Sequence, residues 1–410
     1  MIKICTRCFY PSTHPLGIAF NEDGICSGCL VHDEKYRIDW SDRFIELEEL
    51  VKIYRSTNTY DCIVPVSGSG DSFYIVHQVK NVLGMNPLLV TYNNHFNTAV
   101  GIRNLARLKT VFDCDLMTMT VDPNKVRKIT RETLLRNGSI YWHSIAGQTV
   151  FPVQIACKFK IPLIIWGAHQ GLDQVGMFSH EDRVEMSRKY RHEHDLMGLE
   201  AEDLRNGFED LAESEVSAFI YPDDSEVAAV GVRGVYLNNY MFWNSRVQHE
   251  AMISSYKYES KTQTRTFDSY SNSSCWNYSD LHDYIKLIKH GFGKVLDHVS
   301  REIRLNQMTR SEGADSILRY LNLKPAHDMM FYDWLGVNQS GFNYVINQFR
   351  NPLFWQRAKS LDWEYVGPYS ADKLMSICGR EEFSNPYKAT PKGFSTDVEN
   401  EYIVIGKGFV

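Results

Sequence analysis

Apolar residues fall along this chain in two rhythms, and the switches between them outline a fold. Trp40, Phe44, Leu47, Leu50 and Val51 recur at roughly the spacing of an amphipathic helix. Asp61-Cys62-Ile63-Val64-Pro65-Val66 is then a short β-prone run, closed by Ser67-Gly68-Ser69-Gly70-Asp71-Ser72. A helix follows from Ser72 to about Leu83, with Phe73, Val76, Val79, Val82 and Leu83 along one side. Pro87 to Tyr92, Asp115 to Val121 and Ile161 to Trp166 read as three more strands, separated by helical stretches at about 98–112, 123–136 and 144–159. Short apolar runs alternating with helices predict an α/β fold: a parallel sheet with helices on both faces.

Past about residue 175 the rhythm weakens. Residues 178–215 are highly charged, as suits helices with solvated faces, and 255–280 are rich in Ser, Thr, Tyr and Asn, which reads as a mobile loop. Helical periodicity returns at about 279–290, 295–305 and 310–320, and the stretch from about 325 predicts further helices with aromatic packing.

The chain has 410 residues, more than one hydrophobic core usually serves, so two or three units are expected. At 43% hydrophobic and 23% charged residues it has the composition of a globular protein. The net charge of -6 weighs against a main task of gripping a nucleic-acid backbone. No run of about 18 apolar residues suggests a membrane span. Met1-Ile2-Lys3-Ile4-Cys5 does not open a signal peptide, so a cytoplasmic protein is expected.

Four of the nine cysteines form two tight pairs, Cys5/Cys8 and Cys26/Cys29, in a C-x2-C-x17-C-x2-C pattern. Two residues between cysteines let both thiolates face one ion, and a second such knuckle completes a tetrahedron. The segment has too few apolar residues to fold alone, so a metal would supply the missing free energy. The pattern predicts structural Zn2+; an iron–sulfur cluster and four unrelated surface thiols are the alternatives.

The segment from Ser67 to Ser72 sits between a strand and a helix. Glycines there let backbone amides turn inward, and the helix start adds free N–H groups and the positive end of its dipole. Ser67 and Ser72 can donate hydroxyls to phosphate oxygens, and Asp71 makes sense beside phosphate mainly as a holder of Mg2+. The simpler reading is a Gly/Ser turn. Ligands of open α/β sheets bind at the carboxyl ends of strands. Gly167, His169 and Asp173, after the fourth predicted strand, are therefore placed to reach the same pocket, although a plain loop accounts for His169 equally well.

The loop resembles S-G-G-x-D-S, the pyrophosphate loop of the ATP pyrophosphatases, with Ser69 where those enzymes carry a second glycine. Together with the cysteine knuckles and later segments, the chain resembles the N-acetyl sugar amidotransferases of bacterial surface-polysaccharide synthesis. The matching segments include Gly147-Gln148-Thr149, Trp166-Gly167, Ser187 to Arg191, Tyr284 to Lys294, Asp297-His298, Glu302-Ile303-Arg304 and Met308-Thr309-Arg310. Ala168 and Lys294 depart from the pattern, which has an acidic residue and Arg at these positions.

The resemblance implies a zinc knuckle at 1–35, a pyrophosphate-loop domain at 36–175, a mostly helical substrate- or partner-binding region at 176–325 and a helical extension at 326–410. It implies ATP bound by Ser67 to Ser72, Thr91, Tyr92, Gly167 and His169, with Asp71, Ser72 and Asp173 catalytic. A basic cluster with its turn, namely Lys286, Lys289, Gly291, Gly293 and Lys294, would bind the substrate, although basic residues on a helix are more often just a solvated face. The implied reaction adenylates the acetamido oxygen of a nucleotide-activated sugar in O-antigen or related glycan synthesis. Ammonia then displaces AMP and leaves an acetamidino group. The chain shows no glutaminase element, so the implied partner is a separate glutaminase like that of imidazole glycerol phosphate synthase, with a cyclase-like subunit completing the channel. The rivals are a tRNA-thiolating enzyme, which would carry further paired cysteines and a basic surface, and a glutaminase scaffold in which Ser69 has disabled ATP hydrolysis.

Overall fold

Side chains leave a strand alternately to its two faces, and this rule sorts the apolar residues of the central sheet into two cores. In a computed structural model that describes residues 2–56 and 60–378, five strands form that sheet. They are β1 (Cys62–Pro65), β2 (Pro87–Tyr92), β3 (Leu116–Met119), β4 (Leu163–Trp166) and β5 (Arg233–Tyr236), in the order β3-β2-β1-β4-β5. Every neighbouring pair is parallel, with Ile63 opposite both Leu88 and Ile164. Cys62, Val64, Leu89, Leu163, Ile165 and Val235 point into one core, with Leu47 and Val51 of helix Trp40–Ile53 and Phe73 and Val76 of helix Gly70–Val76. Ile63, Leu88, Val90 and Ile164 point into the other, against Val150, Val153 and Ala156 of helix Trp142–Phe159. The α/β architecture expected from the sequence is therefore present, and its first four strands lie where the apolar runs are.

β5 was not expected. Its residues, Arg233-Gly234-Val235-Tyr236, include one aliphatic side chain and show no alternation. The strand is held by full pairing with β4 and by the Met186 N–H, which donates to Gly234 O at 2.8 Å. Its Gly234 is needed for close approach, since a Cβ there would lie 2.6 Å from that of Met186. A sheet strand thus comes from beyond residue 175.

Two other expectations are corrected. The charged stretch 178–215, where solvated helices were expected, makes only short helical segments, such as Glu202–Asn206 and Glu213–Val216, joined by irregular chain. Several of its charges are used in ion pairs, Arg183–Glu46 (2.6 Å) and Arg188–Asp224 (3.1 Å) to other parts of the chain and Arg191–Glu200 (2.7 Å) within the stretch. The supposed mobile loop is buried in large part: Glu259, Gln263, Arg265, Thr266, Asp268 and Ser273 are all buried. It is polar because its partners are polar. Arg265 donates to Asp283 at 2.8 Å and to Leu321 O at 3.0 Å, Arg301 donates to Asp268 at 2.8 Å, and Tyr258 OH donates to Tyr270 O at 2.6 Å.

Helices Trp276–His290, Lys294–Arg304, Arg310–Tyr320, Asp328–Leu335 and Gln339–Gln348 follow, then a hairpin of Trp355–Arg357 with Trp363–Tyr365 and the helix Ala371–Cys378. They share a third core with the N-terminal cysteines, in which Leu296 and Val299 pack with Phe9 and Tyr10. Residues 379–410 of the expected helical extension lie outside the described residues.

Because Arg265 is fully buried and hydrogen-bonded to Asp283, Arg265→Met should leave an uncompensated carboxylate and cost about 3–5 kcal/mol in chemical denaturation. Lys52→Met, in an exposed pair with Glu49, should leave the denaturation midpoint in place. Equal midpoints for the two variants would refute the buried-pair account.

Candidate functional site

The segment from Ser67 to Ser72 leaves the carboxyl end of β1 and turns into helix Gly70–Val76. Gly68 has φ +78° and lies so close to the neighbouring helix that a Cβ would sit 2.9 Å from Gly101 O. The turn is pinned by its own serines. The Ser67 N–H donates to Ser72 Oγ at 3.0 Å, and Ser67 Oγ donates to Ser69 Oγ at 3.1 Å. Asp71 projects from the first helical turn with its side chain 47% exposed. His249, buried on helix Ser245–Tyr256, places Nε2 2.7 Å from Asp71 Oδ1 and fixes the direction of that carboxylate. The imidazole fills the space beside Gly70, where a Cβ would lie 2.6 Å from it. No local motif announces His249, which lies 178 residues from Asp71.

Asp71 stands where two cavities meet. One, of about 150 Å3, is bounded by Ser67, Ser69, Asn94 and Gln148, and by Ser271, Asn272, Ser274 and Cys275 on its far side. That far wall is anchored by Thr98, whose N–H donates to Ser274 O at 3.0 Å. The other, of about 300 Å3, is bounded by Lys35, Asp173, Asp297, Arg301 and Arg304, with Tyr10 and His32 from the cysteine knuckle. Its charges are mutually arranged. Lys35 lies 2.5 Å from Asp173, and the Asn238 side chain donates to the same carboxylate at 3.2 Å. Burial pushes the Asp173 pKa up, but the Lys35 ammonium outweighs it and holds the carboxyl below its ordinary value. His32 is driven down to about 3 by burial and then by Lys35, so it is neutral near pH 7, and its Nε2 has no hydrogen-bond partner among the described residues.

The four knuckle cysteines are buried, and their sulfurs lie within 4.8 Å of one another. Cys8 and Cys26 are 3.5 Å apart and Cys5 and Cys29 3.9 Å. A tetrahedron with Zn–S distances of about 2.3 Å has edges of about 3.8 Å, so the four sulfurs fit one zinc ion. Arg304 caps this cluster: Nη2 lies 3.4 Å from Cys8 Sγ and 3.5 Å from Cys26 Sγ, while Nη1 donates to Asp173 O at 3.0 Å and Gln174 O at 2.7 Å. The cysteine cluster and the loop after β4 are thus joined through one guanidinium.

The other expected residues are distributed unevenly. Thr91 and Tyr92 end β2 and are buried, with Tyr92 OH 3.1 Å from His143 Nδ1. Gly167 O accepts from Asn238 N–H at 3.2 Å, and His169 is buried beside β4. The basic cluster is occupied internally. Lys286 lies 2.5 Å from Asp297, Lys289 donates to Asn137 O at 2.5 Å, and Lys294 pairs with Asp280 and donates to Gln263 at 2.8 Å. Gly291 ends a helix at φ +76° and Gly293 precedes the next. The same helical hairpin reaches the larger cavity through Asp297, His298, Arg301 and Arg304 in place of the lysines.

Residues 264–367 match the family described as LPS biosynthesis protein WbpG-like, C-terminal domain. This similarity points to LPS biosynthesis. The matched domain carries Ser271 to Cys275 and Asp297 to Arg304, so it supplies one wall to each of the two cavities that meet at Asp71. The chain is also 27% identical over 119 residues to an uncharacterized protein, MJ1599, of Methanocaldococcus jannaschii. That alignment covers 29% of this chain and 43% of the relative, less than half of its length. Among the described residues no helix is long and apolar enough to cross a membrane.

Elemental analysis of the purified protein should find about one zinc per chain, because the four sulfurs lie close enough together to share one ion. Cys26→Ser should lose the metal and lower soluble yield. Iron with a visible cluster absorbance, or no metal at all, would count against the zinc assignment.

Proposed function

We propose that this chain is an ATP-consuming amidotransferase of LPS-type glycan synthesis. In this reading it adenylates the acetamido oxygen of a nucleotide-activated sugar, releases pyrophosphate, and lets ammonia displace AMP to form the acetamidine. One juxtaposition carries the reading: the Ser/Gly loop at the end of β1 presents Asp71 at the junction of two cavities, each walled in part by the domain similar to LPS biosynthesis proteins. The β3-β2-β1-β4-β5 order makes the β1/β4 boundary the place where successive crossovers diverge, and ligands of open α/β sheets bind there.

A neutral amide is a poor electrophile, and transfer of AMP to its oxygen creates a leaving group that ammonia can displace. The work of the protein is then positioning and charge stabilisation. Ser67, Ser69 and the amides of the helix start would hold the phosphates, and Asp71, aimed by His249, would hold Mg2+ beside them. Asp173, fixed by Lys35 and Asn238, would face the acceptor across the larger cavity. The five cysteines outside the knuckles (Cys62, Cys114, Cys157, Cys275 and Cys378) all have thiols pushed up by burial, which disfavours the thiolate a glutaminase needs. That supports delivery of ammonia by a separate glutaminase subunit, with a cyclase-like subunit completing the route.

Given ATP, Mg2+, an ammonium salt and a nucleotide-activated acetamido sugar, the protein should form AMP, pyrophosphate and an acetamidine whose mass is about one unit lower. An 18O label in the acetyl group should appear in AMP. Asp71→Asn should lower the rate roughly 100-fold or more while leaving the fold intact. Ser69→Gly should match or exceed wild type. ADP as product, label in pyrophosphate, or sulfur transfer to tRNA would each overturn the reading.

A further inference from the structure

A third cavity, of about 180 Å3, lies at the carboxyl ends of β4 and β5. Trp166 ends β4 and Tyr236 ends β5, with ring centroids 6.4 Å apart and planes 26° from parallel. His169 sits against this wall, 4.7 Å from the ring of Tyr236 and 4.3 Å from that of Tyr190. The walls are aromatic, yet polar atoms among them are left over. His169 is 1% exposed, and neither of its ring nitrogens has a hydrogen-bond partner among the described residues. The same holds for Nε1 of Trp166 and for Nη2 of Arg191, itself 4% exposed. The Arg191 guanidinium is held in place by its other nitrogens: Nε donates to Thr149 at 3.0 Å and Nη1 to Glu200 at 2.7 Å. Asp195 lines the same cavity, its pKa raised to about 7 by burial against the opposing pull of Arg191.

Native structures leave few buried polar atoms unpaired, and five that have no partner among the described residues (Trp166 Nε1, both ring nitrogens of His169, Tyr190 OH and Arg191 Nη2) line this one small aromatic cavity. Its volume is below the roughly 300–1,000 Å3 that hold drug-sized ligands, which suits a single ring system. Aromatic faces to stack on, fixed N–H donors and a carboxyl group that can accept are the recognition set for a planar heterocycle with carbonyl and ring-nitrogen edges. The position narrows the choice. Ala168 and Gln170 line both this pocket and the larger cavity, and Asp71 lines both the larger cavity and the one at the phosphate loop. The pocket therefore lies beyond the larger cavity from the phosphate loop, on the side left for the acceptor.

We propose that this pocket binds a nucleobase, that of the nucleotide carried by the acceptor sugar. The base stacks on the aromatic wall, takes hydrogen bonds from Trp166 Nε1 and Arg191 Nη2, and makes a third with a ring nitrogen of His169. That the base is the acceptor's rests on the amidotransferase reading; that the pocket takes a base rests on its walls alone.

Calorimetric titration of the full chain with UDP, CDP, GDP and dTDP, with ribose 5-phosphate as the base-free control, tests this without turnover. At least one diphosphate should bind 10-fold or more tighter than the control. His169→Phe removes both ring nitrogens, and Trp166→Phe removes Nε1 while keeping a ring. Each should erase most of that advantage, and Trp166→Phe keeps the test open should His169→Phe fail to fold. Equal binding of all probes, or variants that bind like wild type, would overturn the proposal. ATP is the second arm: a loss confined to ATP would assign the pocket to adenine and overturn its assignment to the acceptor. Failure to form AMP, with base-dependent binding intact, would sink the reaction and leave the pocket standing.

Discussion

The interaction on which the arrangement of this protein turns is a buried guanidinium. Arg304 is 2% exposed, and a cation there is costly unless it is fully paired. Its partners come from two parts of the chain, two sulfurs of the cysteine knuckle and two carbonyls of the turn after β4, and it ties both to the helix Lys294–Arg304 that carries it. Burial opposes its charge, and the sulfurs of Cys8, Cys29 and Cys26 more than compensate, so its pKa lies above the ordinary value. Four thiolates around one divalent ion would leave a net negative charge beside it, which is the charge a buried arginine needs. The knuckle thus does more than close the N-terminus. It anchors the helix whose Asp297, His298 and Arg301 line the larger cavity, and it places Lys35 against Asp173.

The same logic of paired burial explains the segment from Tyr258 to Cys275. It runs between the sheet domain and the C-terminal helices, where an apolar connection would need matching apolar surface on both sides. Here both sides offer polar groups instead. On the sheet side Asn104 donates to Glu259 O at 2.8 Å and Arg103 pairs with the Glu259 carboxylate at 2.7 Å. On the helical side Asp283 and Arg301 receive Arg265 and Asp268. A buried polar network of this kind specifies one register, because each displaced partner would leave a charge unpaired. It holds Ser271 to Cys275 beside the Ser/Gly loop at 67–72, so the geometry of one cavity depends on ion pairs well outside it.

The three cavities follow the carboxyl edge of the sheet, and their linings change along it. Serines and asparagines surround the one at the Ser/Gly loop after β1, opposed charges the middle one, and aromatic rings the one beyond β4 and β5. Asp71 joins the first two, and Ala168 with Gln170 joins the last two. The small, neutral Ala168 sits at that second junction and adds neither charge nor bulk to it.

How much of this was legible beforehand follows from the range of the forces involved. Strands β1 to β4, the helices between them and the helices at 276–320 are local matters of apolar rhythm, and their positions were readable to within a few residues. The cysteine cluster was readable too, since tetrahedral ligation needs a spacing that sequence displays directly. β5 was not, because an edge strand with one aliphatic residue exists by virtue of its neighbour. Nor were the burial of 258–275, the capture of Lys286, Lys289 and Lys294 by their own protein, or the pairing of His249 with Asp71. A charged or polar side chain carries the same letter whether it faces water or a partner brought from 178 residues away, as His249 is. Local periodicity and ligand spacing are written into short stretches of chain; which polar groups are spent on folding and which are left to act is decided when the tertiary structure brings distant partners together.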